Sequence, residues 1–344
     1  MSTHDSGRGF AGRRQRVGTG RGEDPEWSAG SGDGRTMMSR RRASTSKSLV
    51  ARDNFSLFSA RDRSLFLLPA LFLIVVLYLV PLLSNFALAF SDWSVYRPGI
   101  RWVGLDNFAG LLADGTIAHA LTTTFAFAIY VMVIQNALGL ALALAVEDRS
   151  RASAVFRTIL FTPVLISSLA AGYIWAAILS PQGILNQALG IGTGGPLHIL
   201  WLGDTTLAII AVGFVQAWKG VGITMIIYVA GLSTIPRDLI EEAQVEGAST
   251  WQLFRRVKLP LIFPSLTFNV SLTLIGALSA FDVVVAMTGG GPARATEVLN
   301  LVIWKQFGTG LLGYATAIGL VLFFAVCLAA LPLIAYLRSR EVEL

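Results

Sequence analysis

Six apolar runs, each long enough to cross a bilayer, set what this chain can fold into. A membrane-spanning helix needs ~20 consecutive, mostly apolar residues. Windows of that kind fall at Ser64–Phe90, Ala120–Val146, Thr158–Ser180, Thr206–Leu232, Leu261–Met287 and Gly313–Leu337. Within hydrocarbon every backbone amide must find a partner inside the protein, and runs of this length satisfy themselves as helices. The spacing therefore predicts an all-α membrane protein with six transmembrane helices over residues 64–344. A composition of 54% hydrophobic and 14% charged residues agrees, being too apolar for an ordinary soluble domain. The first run outlasts the ~7–15 apolar residues of a signal peptide, so it is read as a span.

Charge then orients the spans. The net charge is +6, but residues 1–63 hold 13 Lys/Arg against 7 Asp/Glu, whereas residues 64–344 hold 14 of each. The excess is confined to a Gly-, Ser- and Arg-rich stretch expected to be a disordered tail. Its clusters at Arg13, Arg14, Arg16 and Arg40, Arg41, Arg42 suit an anionic inner-membrane surface, but a tail with no function is the preferred reading, and neither argues for nucleic acid. Among the connections, the second-to-third carries Arg149, Arg151 and Arg157, and the fourth-to-fifth carries Arg237, Arg255, Arg256 and Lys258. The C-terminus carries Arg338 and Arg340, while the intervening connections are poor in Lys and Arg. By the positive-inside rule both termini and the Ile235–Pro264 connection are expected in the cytoplasm.

That connection has internal structure. Pro236 suits a helix start, and Arg237–Glu246 reads as a short helix with Leu239, Ile240, Ala243 and Val245 apolar. Gly247 is expected to end it, since glycine tolerates the left-handed backbone of a sharp exit. Ser249 with Gln252 three residues later is a capping box that opens a second helix. Pro260 and Pro264 mark the return into the membrane. One arm is acidic (Asp238, Glu241, Glu242, Glu246) and the other basic (Arg255, Arg256, Lys258).

Polar residues inside the spans are costly and therefore informative. Gln135 and Asn136 fall mid-way along the second, Gln216, Trp218 and Lys219 in the fourth, and Asn269, Ser279 and Asp282 in the fifth. The amides are expected to hydrogen-bond between helices, with contact to a ligand as the other reading. Lys219 requires a wet cavity or a partner, and a water-filled path lined by Lys219 and Asp282 accounts for both charges. No enzyme constellation appears: His4, His119 and His198 are scattered, and Cys327 is the one cysteine. The dipeptide Gly-Lys never occurs, so a Walker A loop is absent and any ATP must be hydrolysed by another polypeptide.

Several motifs carry a resemblance. Glu241-Glu242-Ala243, three residues, Gly247, nine residues, then Val257-Lys258-Leu259-Pro260 resembles the cytoplasmic EAA loop of ABC importer membrane subunits. Glu242 stands where that pattern has alanine. Val103-Gly104-Leu105-Asp106-Asn107-Phe108, Trp201-Leu202-Gly203-Asp204, Trp218-Lys219-Gly220, Phe281-Asp282 and Thr288-Gly289-Gly290-Gly291-Pro292 occur in order. Together they resemble the inner-membrane permease of carbohydrate ABC importers of the maltose and glycerol-phosphate type, from about Ser64 onward.

The resemblance implies the type I importer fold, with a coupling helix between the fourth and fifth spans. It implies a homologous second permease, two ATP-binding subunits that hold the ATP and Mg, an extracytoplasmic solute-binding protein and a carbohydrate substrate. Residues carried over for ATPase coupling are Glu241, Ala243, Gly247, Ala248, Trp251, Phe254, Leu259 and Pro260; Trp251, Leu253 and Phe254 form the expected apolar face. Those carried over for the substrate path are Gln216, Lys219, Gly220, Ser279 and Asp282. An ion-coupled secondary transporter that uses Lys219 and Asp282 as a relay stands as the alternative, and an intramembrane enzyme or scaffold as a third.

Overall fold

The computed structural model describes residues 60–113, 115–148, 150–190 and 198–341, with side chains from residue 67 onward. The chain divides into two units, Met1–Arg61 and Asp62–Leu344. Apart from Ala60–Arg63, which are helical, the expected disordered tail lies outside the described residues. Among the described residues the structure is helical, with a single isolated bridge between Ser91 and Trp102. Four helices are long and apolar enough to cross a membrane, or up to six when two bent pairs each count as one span.

The first span joins α1 (Ala60–Ile74) through a π turn at Val75–Leu79 to α2 (Val80–Leu88). It lies at the edge, touching α15 (Leu312–Arg338), and its Leu67–Leu88 stretch has no residue buried in its most apolar window. Its C-terminal end is closed by α3 (Asp106–Ala113). There the Asn107 amide donates to the carbonyls of Ala89 and Ser91, both at 2.8 Å. The Val103–Phe108 motif is thus a device that caps the first span.

The second span, α4 (Thr116–Ala145), and the fourth, α8 (Thr205–Ser233), form the centre, with α12 (Phe263–Leu278) packed on both. Asp204 starts α8 by accepting the amides of Thr206 and Leu207, both at 2.9 Å, which satisfies two of the orphan donors of a first turn. Phe127, Val131, Val212, Val215, Leu274 and Leu278 fill the core between these helices.

Two of the six windows are sharply bent. The third is split into α5 (Arg151–Phe161) with a 3-10 turn at Thr162–Leu165, and α6 (Ser168–Ile178), meeting at 97°. Ile166 and Ser167 both leave helical backbone, with ψ 135° and 139°, which stops the helix. In the fifth window, the helical stretch Thr250–Leu261 meets α12 at 71° around Ile262. Pro264 comes next but one, lacking the N–H that a continuous helix would use. The same window breaks again at Ser279–Phe281, where Phe281 stands at φ −147°, ψ −61°, before α13 (Asp282–Met287). Ser279 and Asp282 therefore flank a break instead of lying along one helix, and α13 packs on α6. Between these elements lie α7 (Ile184–Leu189), α9 (Arg237–Val245), α10 (Thr250–Leu253) and α11 (Leu259–Leu261); α14 (Leu299–Gly308) precedes α15.

Candidate functional site

The connection between α8 and α12 is a bent element built by local rules. Pro236 stands just before α9, whose end is a Schellman motif. Gly247 takes φ +84°, its amide donates to Gln244 O at 3.0 Å, and the Ala248 amide reaches back to Ala243 O at 3.0 Å. Both halves of the expected capping box are made: Ser249 N–H to Gln252 Oε1 at 2.8 Å, and Gln252 N–H to Ser249 Oγ at 3.4 Å. Such a cap contributes about 1 kcal/mol. Two caps placed back to back thus satisfy the backbone amides on both sides of the turn and define its bend.

Its outer side is uncovered. Val245 is 89% exposed and Trp251 66%, and Glu241 is also exposed. Trp251 leans on Phe254 at 5.6 Å, beside a groove of about 400 Å³ that it shares with Gln252, Arg255 and Arg256. The expected apolar face divides: Trp251 points outward, whereas Leu253 is buried and Phe254 half-buried. Ala243, Ala248, Leu259 and Pro260 are partly buried along the inner side.

A π turn at Phe254–Lys258 comes after α10, closed by the Leu259 amide on Phe254 O. Arg255 and Arg256 are exposed, but Lys258 turns inward and pairs with Glu147, just past the end of α4. Arg157 of α5 covers the same helix end, donating Nε to Val146 O at 3.0 Å and Nη2 to Asp148 O at 2.8 Å. Beneath them Val146, Tyr228, Leu232, Ile235 and Ile262 form one buried cluster. The Glu147 contact was not legible in the sequence, because the partners stand 111 residues apart.

Three of the mid-span amides, Gln135, Asn136 and Asn269, bond between helices. Gln135 donates to Thr224 Oγ1 at 2.9 Å, Tyr228 donates to Asn136 Oδ1 at 2.8 Å, and Asn269 donates to Thr224 O at 3.2 Å. Asn269 Oδ1 is buried with no donor. Interhelical bonds of this kind average about 0.6 kcal/mol, so they set helix register more than stability. Gly220 sits against this seam: a Cβ there would lie 2.5 Å from Gln135 Nε2. Gln216 and Lys219 are partly buried on α8, while Ser279 and Asp282 are exposed at the break before α13. Among the described residues neither Lys219 nor Asp282 takes part in an ion pair. Trp218 instead meets Trp175 of α6 edge-on at 5.3 Å.

Residues 135–342 match the family model of the binding-protein-dependent transport system inner membrane component. The chain belongs to that family. It is a permease subunit and not an enzyme, and the ion-coupled alternative is displaced. Similar proteins include the probable ABC transporter permease protein YurN of Bacillus subtilis, 33% identical over 81% of this permease and 97% of the relative. The probable starch degradation products transport system permease protein AmyD of Thermoanaerobacterium thermosulfurigenes is 30% identical over 81% and 95% of the two chains. The multiple sugar-binding transport system permease protein MsmF of Streptococcus mutans is 31% identical over 80% and 95%. In fold the permease resembles a chain of a bacterial ABC transporter involved in alginate import. The TM-score is 0.68 at 24% identity, covering 81% of this chain and 95% of that one. The same transporter type in complex with an alginate pentasaccharide-bound periplasmic protein gives a TM-score of 0.69 at 22% identity, covering 83% and 97%.

At the opposite end of α4 the permease has a second charged cluster that sequence reasoning missed. Glu297 is 5% exposed and accepts Arg294 Nε and Lys305 Nζ, each at 2.5 Å. Burial pushes the Glu297 carboxyl up, but the hydrogen bonds from Lys305 and Arg294 outweigh it and hold the group below its ordinary value. Arg294 also donates to Thr116 O at 3.4 Å, and its carbonyl lies 3.0 Å from His119 Nε2, so the loop is tied to the start of α4.

Proposed function

We propose that this permease is the membrane-spanning subunit of an ATP-driven carbohydrate importer and forms half of its translocation pathway. Relatives whose names cite sugars or starch products support the substrate class. A fold neighbour solved with a sugar-loaded periplasmic protein supports an extracytoplasmic binding protein as partner. The remaining partners in this reading are a homologous second permease and two ATP-binding subunits, which hold the ATP and Mg. Both termini and the Gly247 turn lie in the cytoplasm, consistent with the Lys/Arg asymmetry of the connections.

The observation that carries the reading is the uncovered, doubly capped turn around Gly247. A bent element that exposes Val245, Trp251 and Glu241 is suited to seat in a cleft of an ATPase subunit and be moved as a rigid body. Glu241 is the anchoring acid, and Trp251 with Phe254 is the apolar contact. Ala243, Gly247 and Ala248 make the turn, and Leu259–Pro260 leads the motion into the fifth span. The substrate path runs past Gln216 and Lys219, with Gly220 letting α4 approach, and past Ser279 and Asp282 at the α12–α13 break. An unpaired ammonium there meets sugar hydroxyls as a donor.

The test is cross-linking from a cysteine placed at Ala248 in intact cells that co-express the ATPase subunits, with uptake measured in parallel. Capture of a nucleotide-hydrolysing neighbour is expected; no capture, or uptake driven by a proton gradient with no ATPase present, defeats the reading. Lys219→Ala is expected to change the apparent KM for the sugar, and unchanged KM and turnover would remove Lys219 from the path.

A further inference from the structure

We infer that Glu147 and Lys258 form the joint through which the bent element drives the second span. A stroke delivered at Gly247 then reaches α4 directly, and not only through the chain connection into α12. The inference rests on the coupling reading above.

The placement of Glu147 points to this role. It stands just beyond the last turn of α4, where the helix dipole presents its negative end and disfavours a carboxylate. Arg157 already supplies the favourable cation for that end through the carbonyls of Val146 and Asp148. Glu147 therefore does nothing for its own helix; its contact is with Lys258 of the bent element. The Lys258 side chain is 13% exposed and that of Glu147 35%, so the pair is screened less than a surface one. The π turn Phe254–Lys258 contains all three basic residues, and its wider winding separates Arg255 from Lys258, which three positions apart on an α-helix would share a face. Arg255 and Arg256 face out while Lys258 faces α4.

What α4 would carry is equally defined. It has 30 residues and is therefore about 45 Å long. Its far end is tied to the Arg294–Glu297–Lys305 cluster through Thr116 and His119. Midway, Gln135 and Asn136 bond to Thr224 and Tyr228 of α8, and Gln135 packs on Gly220. Motion at Glu147 thus displaces the wall beside Lys219. The buried cluster of Val146, Tyr228, Leu232, Ile235 and Ile262 keeps the helix ends together but is non-directional; the ion pair is what gives the joint a direction.

The test uses the full complex, with ATPase subunits and binding protein, in proteoliposomes, comparing Glu147→Gln, Lys258→Met and the swap Glu147→Lys with Lys258→Glu. The readouts are co-purification of the ATPase subunits, binding-protein-stimulated ATP hydrolysis and ATP consumed per solute imported. Co-purification is expected to be unchanged in all three. ATP per solute is expected to rise roughly threefold or more in each single variant and to fall back toward wild type in the swap. An unchanged ratio in the single variants, or a swap as uncoupled as they are, overturns the joint. If Lys258→Met does not assemble, the near-isosteric Glu147→Gln and the swap decide alone. Failure of the wild-type chain to retain the ATPase subunits would defeat the coupling reading, and the joint with it; retention with an unchanged ratio defeats the joint only.

Discussion

At Gly247 the backbone stands at φ +84° and no heavy atom lies within 4 Å of where a Cβ would be. Alanine there meets backbone strain of about 1–2 kcal/mol and no clash. Gly247→Ala is therefore expected to insert and assemble with a small loss of melting temperature. Gly247→Pro also removes the amide bonded to Gln244 O and is expected to abolish uptake with insertion intact, as measured by membrane fractionation and sugar accumulation. Gly220 is constrained differently. Its φ is unremarkable for a helix, and the obstacle to a side chain is the Gln135 amide, 2.5 Å from the would-be Cβ. Gly220→Ala is expected to displace the Gln135 amide, the free end of a flexible side chain, and to destabilise by about 0.6 kcal/mol through loss of the Gln135–Thr224 bond. Gln135→Ala in the same chain should add little further loss; a purely additive double variant, measured by thermal unfolding in detergent, would show that the two positions do not touch.

At the scale of elements, α10 has four residues and cannot persist on propensity alone. It exists because Ser249 and Gln252 cap it and because the π turn joins it to α11. Ser249→Ala is expected to cost about 1 kcal/mol and to speed amide exchange across Thr250–Leu253, leaving α8 and α12 protected. Equal exchange in both proteins would mean that the cap does not hold the element. The Schellman turn and the capping box were both readable from residue order, because each is closed by atoms within six positions of one another. The bend at Ile262 was marked by Pro264, but the break in the third span and the second break in the fifth, at Phe281, were not readable. Windows of mean apolarity count residues and are blind to Ile166, Ser167 or Phe281 leaving helical backbone, since each of these is as apolar or as small as its helical neighbours.

At the scale of the molecule, α4 is a rod held by charge at both ends, by Lys258 at one and by the Arg294 loop at the other. The loop cluster makes a pH prediction. Glu297 is held below the ordinary glutamate value of 4.5, so its contribution is complete above that pH and is lost as pH falls through the lower folded-state value. Glu297→Gln is expected to lower the melting temperature by several degrees at pH 7, because two cations lose their carboxylate. The gap between wild type and variant should close on acidification below pH 4.5. A gap independent of pH would show that the carboxylate charge is not what holds the loop.

The residue order by itself determined which segments are apolar enough to cross a membrane, the bent element between the fourth and fifth, and the family. It also set the expectation that mid-span amides would bond helix to helix. These rest on local or periodic signals: apolar runs, caps, turn glycines and motif spacing. Tertiary structure alone decided which amide meets which, that Gly220 makes room for Gln135, that Glu147 receives Lys258, and that Glu297 collects two cations. Most of those contacts join residues on different elements, and their approach is governed by how helices pack and where they kink, which no window along the chain contains.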